Sequence, residues 1–159
     1  MDADVHLASV PPHLKVKYFC CDNRYVKVSA QALCDISHLP QDSPIQIHIY
    51  DSDGLQPVAY IVYYFFHTAK EIFIDLVVSR QPGLGAILLK VVRSVANRYR
   101  YATRFFAAPH YPVEGLPYKS ELPLYRYYRS LGFTPTANFE APNFAATSVE
   151  FYTPFKVNE

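Results

Sequence analysis

An arginine and two glycines with the spacing of a phosphate-binding turn lie between a predicted strand and a predicted helix. The turn is RQPGLG at 80–85, which places Arg80, Gly83 and Gly85 in the pattern R-x-x-G-x-G. The segment before it, EIFIDLVVS, is rich in β-branched residues and predicts a buried strand over 71–79. Apolar residues then recur at steps of three and four up to Tyr99, which predicts a helix. Because the first N–H groups of a helix lack internal partners and carry partial positive charge, this arrangement favours phosphate binding.

Two well-known phosphate loops do not match this turn. A P-loop requires G-x-x-x-x-G-K-[ST], which the segment does not contain. A dinucleotide-binding turn requires G-x-G-x-x-G and further βαβ units, and only Gly83 and Gly85 are present. An ordinary strand-to-helix turn is the alternative interpretation of the same residues.

Asp75 is a candidate general base inside the apolar run of the predicted strand. The alternating residues predicted to share one strand face are Ile72, Ile74, Leu76 and Val78. Asp75 falls on the other face with Phe73 and Val77, where burial would raise its pKa toward a useful range. The alternative is a structural hydrogen bond at the strand end. His110 and Glu114 are second candidates for the base, and a water chain is a third.

Length and composition indicate one folded domain. The chain has 159 residues, of which 50% are hydrophobic and 18% are charged, so we expect a single domain over 1–159 with an irregular lead-in at 1–13. No apolar run is long enough to cross a bilayer, and the N-terminus lacks the pattern of a signal peptide. Three cysteines without metal-ligand spacing predict no metal site. These features predict a soluble, cytoplasmic protein that does not bind a membrane.

Charge is distributed unevenly, although the net charge is only +1 and gives no reason to expect nucleic-acid binding. No acidic residue occurs between Asp75 and Glu114. The basic residues in that interval are Arg80, Lys90, Arg93, Arg98, Arg100 and Arg104. This local charge would suit a small polyanion, and a solvated basic helix face is the alternative.

The remaining patterns predict a mixed order of strands and helices. Strands are predicted at 14–20, 45–50, 57–67, 71–79, 102–108, 133–140 and 147–155. Helices are predicted after Ser29, after Gly85 and after Glu121, and residues 109–120 form a proline-rich loop. Short turns before residue 71 indicate an antiparallel meander. The helix between the strands at 71–79 and 102–108 indicates a parallel pair.

A second motif lies at the end of the last predicted helix, where Tyr128 stands four residues before Gly132-Phe133. The R-x-x-G-x-G turn resembles the acetyl-CoA signature of the GNAT family of N-acetyltransferases, [QR]-x-x-G-x-[GA], and the Tyr128 segment resembles the family's closing motif. The order of elements is also similar over residues 14–155. The resemblance implies an α+β fold with a mostly antiparallel, twisted sheet of six to seven strands, a parallel splayed pair, and helices on both faces.

The resemblance also implies a site that binds acetyl-CoA and transfers its acetyl group to a primary amine by direct attack. The exposed backbone of Leu76, Val77 and Val78 would pair with the pantetheine arm. The residues that would wrap the pyrophosphate are Arg80, Gln81, Gly83, Leu84, Gly85 and Ala86. Tyr128 would protonate the departing thiolate, a role that suits a phenol with a pKa near about 10, whereas core packing is its alternative role. Asp75 has a position similar to that of the family's catalytic glutamate.

The acceptor amine is left open, as either a small molecule or a protein. His110, Tyr111 and Glu114 in the proline-rich loop are the predicted substrate residues.

Pro82 lacks an N–H group, so one phosphate donor is missing from the turn. A non-catalytic binding module and a transferase that uses another acyl donor are the alternative functions. A sheet edge near the C-terminal strands leaves room for a homodimer.

Overall fold

Seven β-strands and two α-helices are found in the computed structural model, which describes residues 6–20, 26–28 (backbone only), 44–107, 115, 116, 118–136, 142 and 148–156. The strands are β1 (Lys15–Cys20), β2 (Val26–Val28), β3 (Pro44–Tyr50), β4 (Pro57–Phe66), β5 (Glu71–Ser79), β6 (Ala102–Ala107) and β7 (Val149–Thr153). The helices are α1 (Leu84–Tyr99) and α2 (Pro123–Ser130), and a 3₁₀-helix covers Lys119–Glu121.

The strands form one mixed sheet in the order β2-β1-β3-β4-β5-β6-β7. Neighbouring strands are antiparallel except for β5 and β6, which are parallel because α1 returns the chain to the same end of the sheet. This confirms the predicted α+β sheet, its strand number and its single parallel pair. β4 is the central strand, and apolar residues occupy both of its faces. β2 was not predicted, since three residues are too few to show a periodic pattern.

One face of the sheet carries the described core and both described helices. Ile61, Ile72 and Phe105 are almost fully buried on this face and belong to the same apolar cluster as Leu88 of α1. Tyr128 of α2 packs on Phe105 with ring centroids 4.8 Å apart. The helix predicted after Ser29 lies outside the described residues, so a helix on the second face stays a prediction.

The C-terminal segment covers a part of α1 that carries polar side chains. Arg93 and Asn97 of α1 are both buried. The Arg93 guanidinium donates to the Pro154 carbonyl at 3.1 Å, and the Lys156 N–H donates to Oδ1 of Asn97 at 3.0 Å. These two hydrogen bonds therefore hold residues 154–156 against α1 and satisfy the two buried polar side chains. The apolar periodicity of the helix sequence does not predict this contact.

The outer edge of β7 is partly occupied by a segment that precedes it in sequence. The Thr136 N–H donates to the Glu150 carbonyl at 2.8 Å, and the Tyr152 N–H donates to the Thr134 carbonyl at 2.9 Å. Residues 134–136 thus provide the described part of the strand predicted at 133–140, and 137–140 lie outside the described residues. The edge proposed for a homodimer is shortened by this pairing, and the homodimer stays a prediction.

Candidate active site

β5 and β6 separate where the predicted site begins. They pair only over residues 71–73 and 102–104. Beyond that point β5 follows β4 to Ser79, while β6 follows β7 to Ala107. Within the described part of the chain, the facing edges beyond the paired residues bond to no other strand. Their backbone N–H and C=O groups therefore border an opening, as expected for a splayed pair.

A β-bulge in β5 lies at the start of this opening. Ile74 pairs with Tyr63, and the next paired residue is Leu76, so Asp75 is left as the extra residue. The insertion reverses the alternation, which puts Leu76 on the face opposite to Ile74 and corrects the predicted shared face. Asp75 is exposed. Its predicted burial is wrong, because the bulge removes it from the ladder beside an open cleft.

The opening is a cleft of about 350 Å³ that passes between the strands. Its lining residues are Ile74, Asp75, Leu76 and Val77 of β5, Phe105, Phe106 and Ala107 of β6, Leu89 of α1, and Leu124 and Tyr128 of α2. Phe105 faces the helices, whereas Leu76 and Phe106 lie on the opposite face and are 44% and 53% exposed. Residues on both faces of the sheet therefore contribute to the lining of the cleft.

The glycine turn joins β5 to α1 beside this cleft. Gly83 has φ 87°, a left-handed conformation that favours glycine, and a Cβ atom there would meet no protein atom within 4 Å. Oγ of Ser79 donates to the Gln81 carbonyl at 2.6 Å, which closes the turn. The N–H groups of Gly85 and Ala86 have no acceptor among the described residues. Two N–H groups at the start of α1 are therefore unpaired in this part of the chain, and open space lies at the adjacent Gly83.

Close packing explains the second glycine of the motif. A Cβ atom on Gly85 would lie 3.3 Å from Cβ of Ser79 and 3.6 Å from the Tyr127 hydroxyl. Glycine thus allows the first turn of α1 to approach the end of β5 and the side of α2. The position of Tyr127 beside the glycine turn was not predicted from the sequence. No local pattern signals it, since two helices must meet to bring these atoms together.

Most of the predicted basic charge does not lie at the turn. Arg80 is exposed next to it, and Lys90 is exposed further along α1. Arg98 and Arg100 follow at the far end of a helix about 24 Å long. Arg104 pairs with Glu71 at 2.8 Å on the opposite face of the sheet. The basic residues therefore follow the helix instead of converging on the turn, and Arg104 lies on a distant surface.

Tyr128 lies half-buried at the wall of the cleft, with aromatic rings on several sides. Its ring centroid is 4.8 Å from that of Phe105, 5.5 Å from that of Phe151 and 5.5 Å from that of Tyr127. Burial raises the pKa of the Tyr128 phenol, and the neighbouring Tyr127 raises it further. The hydroxyl therefore keeps its proton at neutral pH, which a proton donor requires. The Tyr128 ring therefore packs in the aromatic cluster and borders the cleft at the same time, so the predicted acid role and the alternative packing role do not exclude each other.

Tyr125, three residues before Tyr128 on the same helix, has a structural role. Its side chain is fully buried, and its hydroxyl donates to the Ala107 carbonyl at 3.0 Å. Burial raises the pKa of this tyrosine to about 12. The bond holds the first turn of α2 against the end of β6, on the wall of the cleft.

The predicted substrate residues His110, Tyr111 and Glu114 lie outside the described residues.

These features can be compared with the shape of acetyl-CoA, which carries an extended arm between a diphosphate and a thioester. The unpaired edge of β5 at Leu76, Val77 and Val78 offers backbone partners to such an arm. The open space before Gly83 and the free N–H groups of Gly85 and Ala86 suit a diphosphate. Pro82 contributes no donor, as expected from its type. The residues present therefore fit this co-substrate.

Comparison with solved structures identifies the architecture. A Bacillus anthracis protein described as a streptothricin acetyltransferase, in complex with acetyl coenzyme A, matches with a TM-score of 0.52 and 12% identity over 96% of this chain and 94% of that chain. Nourseothricin acetyltransferase matches with a TM-score of 0.51 and 12% identity over 98% and 95%. The chain has the GNAT fold. No protein-family model matches the sequence, and no curated protein matches it either.

Another GNAT-fold match is the ribosomal-protein-S18-alanine N-acetyltransferase from Escherichia coli, with a TM-score of 0.50 and 11% identity over 84% of this chain and 81% of that chain. Such identities support the fold and leave the activity to the site itself. In the described ranges, no helix is long and apolar enough to span a membrane. No group of three or more potential metal ligands occurs in those ranges.

The open space at Gly83 gives a prediction about ligand affinity. Gly83→Ala should weaken acetyl-CoA binding about tenfold, or about 1.4 kcal/mol, because the added methyl occupies the space before the free N–H groups. Gly132→Ala is the matched control, since Gly132 has φ 92° and equally open surroundings. Both variants should lose about 1–2 kcal/mol of stability from left-handed strain. Calorimetric titration and urea unfolding separate the two effects, and equal acetyl-CoA affinity in both variants would contradict the assignment.

Proposed function

We propose that this GNAT-fold protein is an acetyl-CoA-dependent N-acetyltransferase that acetylates a primary amine by direct attack. The observation that carries the proposal is that Tyr128 and the unpaired edge of β5 border the same cleft. An extended arm paired with that edge would bring its thioester into the part of the cleft that Tyr128 lines. The phosphate end would then lie toward Gly83 and the start of α1.

Acetyl-CoA supplies an activated acetyl thioester, and the residues of this chain orient it and move protons. Backbone N–H groups on the open edge of β5 are the available donors for the thioester oxygen. Attack by the neutral amine forms a C–N bond and breaks the C–S bond. Tyr128 donates its hydroxyl proton to the departing sulfur. The proton lost by the amine passes to water in the open cleft or to Asp75, and Tyr128 regains its proton from solvent.

Asp75 serves here mainly as an electrostatic partner of the amine. Its exposure removes the burial on which a strong general base was expected to depend. A carboxylate at the cleft nevertheless attracts an ammonium group and holds it near the thioester position. Asp75→Asn should therefore raise KM for the amine more than it lowers kcat.

Thermal unfolding with added ligands tests the proposal directly. Acetyl-CoA at one hundred times its Kd should stabilise the protein by about 2.7 kcal/mol, which corresponds to an increase in Tm of about 5–10 °C. CoA should also stabilise it, whereas free pantetheine should do so less because it lacks the diphosphate. A larger shift with a longer acyl-CoA would favour another acyl donor. No shift with any of these ligands would contradict the enzyme proposal and favour a non-catalytic module.

A further inference from the structure

A row of aromatic rings crosses the sheet on the face opposite to α1 and α2 and ends at the cleft. Phe106 contacts Phe73 with centroids 6.2 Å apart, and Phe73 contacts Phe66 at 6.1 Å. Phe66 in turn stacks on Tyr64 at 6.3 Å. Phe106, at the end of the row, is 53% exposed, and Leu76 beside the cleft is 44% exposed. The rim on this face is therefore apolar and open to a second molecule.

Three carboxylates near this rim lie in the described part of the chain, and they differ in whether another group already engages them. Asp75 lines the cleft, is exposed and forms no ion pair among the described residues. Glu71, on the same face as Phe73, is already paired with Arg104 at 2.8 Å. Glu150, opposite Phe106 in the β6–β7 pair, accepts a bond from the Thr136 hydroxyl at 3.4 Å. Among the residues that the structure describes, Asp75 is thus the one unengaged carboxylate at the cleft, and it lies beside an apolar surface.

We propose that the acceptor is a primary monoamine attached to an aromatic or other apolar body, which enters the cleft from the face opposite to the helices. The body covers Phe106 and Leu76, and the ammonium group lies at Asp75. A single carboxylate matches a single ammonium group, whereas a polyamine would need several separated carboxylates. This inference rests on the proposed function, because it concerns the second substrate of the same cleft.

The two-sided lining of the cleft supports this arrangement. One wall of the cleft lies on the face of the sheet that carries the helices, and it consists of Leu89, Leu124 and Tyr128. The glycine turn at the start of α1 lies on this same side. Leu76 and Phe106 belong to the other side. An amine entering past Phe106 therefore meets the thioester from the side away from the phosphate turn, and the two substrates do not compete for one entrance.

An acceptor panel tests the inference. Acetyl transfer from acetyl-CoA is measured with 2-phenylethylamine, ethylamine, spermidine and a short peptide with a free N-terminus. We expect kcat/KM for 2-phenylethylamine to exceed that for ethylamine and spermidine by about tenfold or more. Phe106→Ala should raise KM for 2-phenylethylamine about three- to tenfold, Phe106→Leu should raise it less, and KM for acetyl-CoA should not change. Leu55→Ala, which alters an exposed leucine at the β3–β4 turn, is the matched control.

The outcomes separate this inference from the proposed function. Absence of any acetyl-CoA binding would overturn both. Acetyl-CoA binding with spermidine, ethylamine or the peptide as the best acceptor would overturn the inference alone. So would an unchanged KM for 2-phenylethylamine in Phe106→Ala. Direct binding of 2-phenylethylamine to the protein with CoA, measured by saturation-transfer NMR and lost in Phe106→Ala, would support it without a turnover assay.

Discussion

Tyr128→Phe should lower the rate of acetyl transfer by about 10²- to 10³-fold while leaving the Kd for acetyl-CoA nearly unchanged. The ring stays in contact with Phe105 and Phe151, so the wall of the cleft is preserved. Only the proton donor is lost, and the thiolate then leaves without a proton. Single-turnover measurements are the suitable readout, because slow product release would otherwise hide a change in the chemical step.

Two further measurements sharpen this prediction. Tyr125→Phe is the matched control on the same helix, because the Tyr125 hydroxyl donates to the Ala107 carbonyl and has no catalytic role in the proposal. This variant should lose about 1 kcal/mol of stability with little change in the rate of acetyl transfer. Burial raises the pKa of Tyr128. Ionisation of this phenol should therefore not lower the wild-type rate of acetyl transfer at any pH below about 10. A wild-type rate in Tyr128→Phe would exclude the hydroxyl as the proton donor.

Phe151→Ala should cost about 3–5 kcal/mol of unfolding free energy, the second large effect that we expect. Phe151 is fully buried and stacks on Phe105 with ring planes 3° apart and centroids separated by 5.0 Å. It also contacts the rings of Tyr125 and Tyr128. Truncation would leave a void where β7 meets α2, because the surrounding rings cannot all collapse into it.

Urea unfolding measures this cost, and Phe106→Ala is the matched control. Phe106 is the same residue type on the adjacent strand but is 53% exposed, so its truncation should cost much less. Phe151→Leu should recover part of the loss by filling some of the volume. Equal costs for Phe151→Ala and Phe106→Ala would show that the aromatic cluster beneath Tyr128 does not stabilise the fold. We also expect Phe151→Ala to lower acetyl transfer, since Tyr128 loses one of its packing partners.

Local sequence patterns were sufficient to predict the elements whose structure depends on residues close to one another in sequence. The alternation in β3, the continuous apolar run in β4, the apolar spacing in α1 and the turn glycine at Gly83 each reflect a constraint within a few residues. The parallel pairing of β5 and β6 also followed from sequence, because a helix between two strands leaves few other connections. The order of these elements and two short motifs predicted the GNAT fold.

Tertiary structure alone decided the features that depend on distant residues. The bulge at Asp75 changes which β5 side chains share a face, and it arises from pairing with β4 rather than from composition. The burial of Arg93 and Asn97 needs the C-terminal segment to return over α1.

The cleft likewise needs Leu76 of β5, Phe106 of β6 and Tyr128 of α2 to meet from separate elements. The sequence by itself determined the scaffold and the candidate proton donor, because local periodicity and chain order are written along the chain. The exposure of Asp75 and the apolar rim for the acceptor depend on packing between segments far apart in sequence, and only the folded structure determined them.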